Sequence, residues 1–139
     1  MKGKTIAELK VGDSAFVEKT IAEGDVYLYA GITGDLNPAH VNKVEAENGI
    51  FKRQVAHGML TAGLISAVLG MYLPGPGTIY LGQNLKFTAP VYFGDTIRAT
   101  ATVTELREEK NICILSTICT NQDGKTVIEG AATVKPPKE

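Results

Sequence analysis

The chain has 139 residues, 44% of them apolar, which suits one domain with a real core. Fourteen Lys and Arg against fifteen Asp and Glu leave a formal net charge of -1. No segment gathers basic residues into a stripe, so nucleic acid is excluded as an expected partner. The charged start is followed by Glu8 and Lys10 rather than by an apolar signal core, so a cytoplasmic location is expected.

Residues 14–21 alternate in part and read as a first strand. Thr20 followed by Glu23 has the spacing of a capping box, which predicts a helix beginning there. Val26, Tyr29, Ala30 and Thr33 then fall on one helical face, and Gly34 ends the helix. Residues 35–40, Asp35-Leu36-Asn37-Pro38-Ala39-His40, read as a loop of restricted backbone, because Pro38 fixes its own torsion and keeps Asn37 out of the α region. A short helix is expected over residues 44–48.

Residues 55–73 contain no Asp, Glu, Lys or Arg and are long enough in principle to cross a bilayer. They also contain His57, Gly58, Thr61, Gly63, Ser66 and Gly70, and the turn Pro74-Gly75-Pro76-Gly77 ends them. The expectation is a helix from Ala56 or His57 to Tyr72, apolar all round and buried in a soluble fold rather than in a membrane.

Residues 81–87, 96–105, 111–120 and 125–134 read as four strands. In the second, Ile97, Ala99, Ala101 and Val103 alternate with polar residues, and Asp123-Gly124 is a hairpin signal. Short turns between the last three strands exclude parallel pairing. These elements predict an α+β fold, an antiparallel sheet curved around one long buried helix, with residues 1–139 forming one domain. Cys113 and Cys119 share a strand face about 20 Å apart, beyond disulfide reach, so reduced buried thiols are expected. The two histidines show no ligand spacing with these cysteines, and no metal is expected.

Asp35 and His40 share neither a helix face nor a strand face, so only a folded loop can aim both at one point. Gly34 and Pro38 stiffen that loop, which suits general acid–base work on a small molecule such as water. The same spacing also fits an Asp bonding its own turn beside a structural His. His57-Gly58-Met59 adds a second element. It opens the apolar helix, where backbone N–H groups lie unpaired at the positive dipole end and Gly58 leaves room for an oxygen to approach. Hydrating a double bond conjugated to a thioester needs an activated water, a proton donor for carbon, and donors for the oxygen that gains charge. Gly58 has an alternative reading as a close-packing residue. His57 reads first as a helix-cap residue, since one acid–base pair suffices.

The run Gly34-Asp35-Leu36-Asn37-Pro38-Ala39-His40 resembles the GD-x-NP-x-H signature of MaoC-like, (R)-specific enoyl-CoA hydratases. Ala56-His57-Gly58-Met59-Leu60 is similar to the family's AHGM segment. Residues 80–87, with Pro90-Val91 and Gly94-Asp95, resemble the strand and turn that follow. The resemblance covers residues 11–134 and implies a hot-dog fold in a homodimer whose sheets join edge to edge. It implies reversible syn hydration of trans-2-enoyl-CoA to (3R)-3-hydroxyacyl-CoA, as in members that supply monomers for polyhydroxyalkanoate synthesis, with an acyl-CoA substrate and no cofactor. By the same resemblance Asp35 and His40 would position and activate the water, Asn37 would support the loop, and the Gly58 amide would help form an oxyanion hole. Ser66 and Leu69 match positions that line the acyl pocket, and each reads equally as core.

The sequence leaves open which of Lys52, Arg53, Lys86 or another residue meets the CoA phosphates, and how Asp35 and His40 divide the proton transfers. Three rivals remain. A 3-hydroxyacyl-ACP dehydratase would want a basic docking cluster, a hot-dog thioesterase would not need the GD-x-NP-x-H loop, and a non-catalytic acyl-CoA-binding module would not need Asp35 with His40.

Overall fold

Alternation of small apolar and polar side chains builds the centre of the sheet, because successive residues of a strand face opposite sides. The computed structural model describes residues 1–139. It consists of β1 (Ser14–Thr20), α1 (Glu23–Thr33), α2 (Pro38–Val41), α3 (Lys43–Glu47), α4 (Gly58–Met71), β2 (Ile79–Phe87), β3 (Thr96–Arg107), β4 (Ile112–Thr120) and β5 (Thr126–Lys135). The strands form one antiparallel sheet in the order β1-β3-β4-β5-β2. Ile97, Ala99, Ala101 and Val103 of β3 and Cys113, Leu115 and Cys119 of β4 are buried on one face. Helix α4 packs there, and its Ala62, Ile65, Val68 and Leu69 join them in a core of 21 buried residues.

Three sequence expectations need correction. Thr20 does not cap α1, because it ends β1 opposite Thr96, with the two hydroxyls 2.7 Å apart. The helix is instead anchored by Asp25, whose carboxylate accepts the Ala22 N–H at 2.9 Å. That backbone bond, with Lys19 alongside, holds the Asp25 carboxyl below its usual range. Second, residues 35–40 are not loop throughout: Pro38, Ala39 and His40 belong to the short helix α2. Third, α4 is not buried all round. Met59, Gly63, Ser66 and Gly70 form an exposed stripe at helical spacing, since one sheet covers only the half of a helix that faces it. At 14 residues, α4 spans about 21 Å, and no helix is long and apolar enough to cross a membrane.

The cysteines are free and buried. Burial pushes both thiols up to about 11, with the Asp13 carboxylate adding to the effect at Cys113. An exposed thiol ionises near about 8.5. At that pH iodoacetamide should therefore leave the native protein almost unlabelled and modify both cysteines once it is denatured, as read by mass spectrometry.

Candidate active site

The turn from α1 into α2 places Asp35. Gly34 ends α1 with φ 81° and ψ 5°, a left-handed conformation that glycine adopts without a Cβ clash. Asn37 then sits at ψ 128°, outside the α region as Pro38 requires, and caps α2 by accepting the Ala39 N–H at 3.0 Å. The Asn37 N–H donates to Asp35 Oδ1 at 3.2 Å. Asn37 thus starts the helix with its side chain and holds the Asp35 carboxylate with its backbone N–H.

His40 is held from the segment before α4. Its Nδ1 lies 2.7 Å from the Val55 carbonyl oxygen, which can only accept, so Nδ1 carries the hydrogen and Nε2 keeps its lone pair in the neutral ring. The Val55 N–H donates to the Ala39 carbonyl at 3.1 Å, and Gln54 Nε2 donates to the His40 carbonyl at 2.8 Å. Gln54 also donates to the Tyr27 hydroxyl, which in turn donates to Glu23. Three hydrogen bonds therefore fix the His40 backbone and ring against residues 54 and 55.

Asp35, His40 and Gly58 line one cavity of about 530 Å³, in which ten of the 17 lining residues are hydrophobic. That balance fits an apolar chain with a few polar groups at its reactive end. Gly58 is the first residue of α4, and neither its N–H nor that of Met59 has an acceptor in the protein. Phe87 closes over this point: a Cβ at position 58 would lie 2.6 Å from its ring. Asn37 supports the loop without lining the cavity. Ser66 and Leu69 do not line it either, because they lie two to three turns further along α4. Ser66 is exposed, and Leu69 is 1% exposed in the core. Leu69→Ala should accordingly cost about 2–5 kcal/mol of stability in a denaturant titration.

His57 also lines the cavity, although the sequence reads it as a cap. It occupies the N-cap position of α4, but its side chain makes no capping bond. Its ring stacks on that of His40, with centroids 3.8 Å apart and planes at 28°. Asp35, His40 and His57 bring ligand-type atoms within 4.8 Å of one another. Each ring commits one nitrogen to a carbonyl, which leaves one free nitrogen on each beside the Asp35 carboxylate.

Residues 10–123 match the family model described as MaoC like domain. The chain belongs to the MaoC-like family. A relative from Rhodospirillum rubrum named (R)-specific enoyl-CoA hydratase is 57% identical over 130 residues, covering 94% of this chain and 90% of that protein. The unliganded R-hydratase PhaJ1 from Pseudomonas aeruginosa superposes with a TM-score of 0.93 at 44% identity, covering 99% of this chain and 88% of that one. The (R)-hydratase from Aeromonas caviae, described as involved in PHA biosynthesis, gives 0.90 at 43% identity, covering 93% and 98%. The expected α+β hot-dog fold is thus the one found in MaoC-like hydratases.

Three features of the site escaped the sequence reading: Gln54 behind His40, His57 beneath it, and Phe87 over Gly58. Gln54 and Phe87 gave no signal in any motif considered for chemistry. His57 gave one, a histidine beside the glycine of a helix start, and it was the side chain's direction that could not be read.

Proposed function

We propose that this chain is a hydro-lyase, an (R)-specific enoyl-CoA hydratase that adds water to trans-2-enoyl-CoA and gives (3R)-3-hydroxyacyl-CoA. The observation that carries the reading is the pairing, in one largely apolar cavity, of the Asp35 carboxylate and the free Nε2 of His40 with the unpaired Gly58 N–H. The thioester oxygen accepts from the Gly58 N–H, aided by the positive end of α4, and conjugation draws electrons away from Cβ. Asp35 and His40 hold one water between them.

An ionised carboxylate and an imidazole nitrogen with a lone pair both accept protons, so the water is the proton source. Its oxygen bonds to Cβ as one of the pair takes a proton. Electrons from the double bond pass to the thioester oxygen as an enolate, and the proton then returns to Cα. One H₂O is added in all. Because the pair lies on one side of the substrate, both new bonds form on the same face, a syn addition that runs equally in reverse. The geometry leaves open which of the two takes the proton.

A homodimer fits the same reading. The outer edge of β2 is unpaired and exposes Ile79, Tyr80 and Leu81, and the exposed stripe of α4 is likewise uncovered. An apolar edge of this kind calls for a partner strand, and a second copy joined edge to edge covers it.

The test is to mix the protein with crotonyl-CoA and follow both the conjugated absorbance and free thiol. A hydratase removes the absorbance and releases no thiol. Thiol release would move the reading to a thioesterase. Turnover only with the enoyl group on acyl carrier protein would move it to a carrier-protein dehydratase, and no turnover on either carrier to a binding module.

A further inference from the structure

Within the turn that carries Asp35, every hydrogen bond but one is local. Asp35 N–H donates to Thr33 Oγ1, Leu36 N–H to the Gly34 carbonyl, and Asn37 N–H to Asp35 Oδ1. The exception is His57, whose Nε2 lies 3.0 Å from the Asp35 carbonyl oxygen. A carbonyl only accepts, so Nε2 carries the hydrogen. His40, by contrast, is fixed through Gln54 and Val55. The two halves share the Asn37 peptide, whose N–H donates to Asp35 Oδ1 and whose carbonyl accepts the His40 N–H at 2.8 Å, but beyond the turn they are anchored at separate points. From outside the turn, His57 touches both, bonding the Asp35 carbonyl and stacking on the His40 ring at 3.8 Å.

We propose that His57 is a positioning residue for the hydration reaction, tethering Asp35 to α4 by the Nε2–H bond and so setting the carboxylate's distance from His40. This rests on the functional reading above. The tether has a visible cost. His57 is 2% exposed, and its Nδ1 is buried with no partner. A buried acceptor left unpaired is destabilising. A phenylalanine would fill the same space against Tyr29 and His40 without that cost, but it would have no hydrogen to give the Asp35 carbonyl. The donated bond is what the imidazole adds.

Two variants separate donation from packing. His57→Phe keeps an aromatic face under His40 and removes the donor. His57→Gln loses the face but carries an amide N–H at about the reach of Nε2. Small misplacements of reacting groups are costly, so His57→Phe should lower kcat by about 10- to 100-fold with KM within about threefold. Its melting temperature should be no lower than that of the wild type. His57→Gln should recover most of the lost kcat. Wild-type kcat in His57→Phe would overturn the tether, as would a kcat in His57→Gln as low as in His57→Phe.

Imidazole ¹⁵N NMR of the wild type reads the tether without turnover. The His57 ring should appear as the Nε2–H tautomer with a slowly exchanging proton, and the Nδ1–H tautomer would overturn the proposal. A wild type inactive on every enoyl carrier, with the Nε2–H tautomer present, would sink the functional reading and leave the tether standing.

Discussion

His40→Asn is expected to lower kcat by about 100- to 10,000-fold, the range that positioned acid–base groups contribute. Asparagine is the informative replacement, because its amide nitrogen falls near the place of Nδ1 and can still donate to the Val55 carbonyl. The variant then keeps the anchor and lacks only the acceptor that faces water. His40→Ala should lose as much activity and also about 0.5–1.5 kcal/mol of stability, since the Val55 carbonyl loses its partner. Asp35→Asn should fall equally far. Its amide oxygen can still accept the Asn37 N–H, so the loop survives while the negative charge beside the water is gone. If the two groups act as a unit on one water, the double variant should be little worse than the worse single one. Stopped-flow hydration of crotonyl-CoA with the four proteins checks this, and near-wild-type turnover in either single variant would remove that residue from the mechanism.

Gly58→Ala carries the second large effect. The added methyl would lie 2.6 Å from the Phe87 ring, far inside contact distance, so the ring must move. Phe87 is half exposed, and its ring can swing aside, so little stability should be lost. The methyl or the displaced ring then occupies the approach to the Gly58 N–H, where the thioester oxygen has to sit. Losing one donor of this kind costs about 100- to 1,000-fold in kcat. Gly58→Ala should approach that loss with an almost unchanged melting temperature, and Phe87→Leu should restore part of it by vacating the space. A fully active Gly58→Ala protein would show that glycine is there only for close packing.

The parts of the fold legible in sequence were those governed by local rules. The alternation of Ile97, Ala99, Ala101 and Val103 sets which face of β3 is buried, and Gly34 stops α1 because only glycine takes φ 81° freely. Asp35, His40 and Gly58 were legible as candidates because the loop motif and the helix start each constrain their own backbone, while their meeting in one cavity rests on the bonds of Val55 to Ala39 and His40. What depended on distant pairing was not legible. Thr20 has the spacing of a cap, but its place opposite Thr96 is fixed by the sheet register. The strand order is equally non-local: β2 pairs with β5 rather than with β3, which follows it in the chain. An uncharged α4 looked wholly buried because its exposed stripe consists of Met59, Gly63, Ser66 and Gly70, residues with no charge to betray it. His57 illustrates the same limit: its position at the helix start was readable, and its bond to a carbonyl 22 residues away was not.

The most direct test of the central claim is the configuration of the product. Purified protein and crotonyl-CoA are mixed, and the 3-hydroxybutyryl-CoA formed is split between an (R)-specific and an (S)-specific dehydrogenase. The account predicts that the (R)-specific enzyme oxidises essentially all of it, because Asp35 and His40 deliver water to one face only. Oxidation by both equally would contradict an acid–base pair fixed on one side of the substrate, and oxidation by the (S)-specific enzyme alone would contradict the (R)-specific reading.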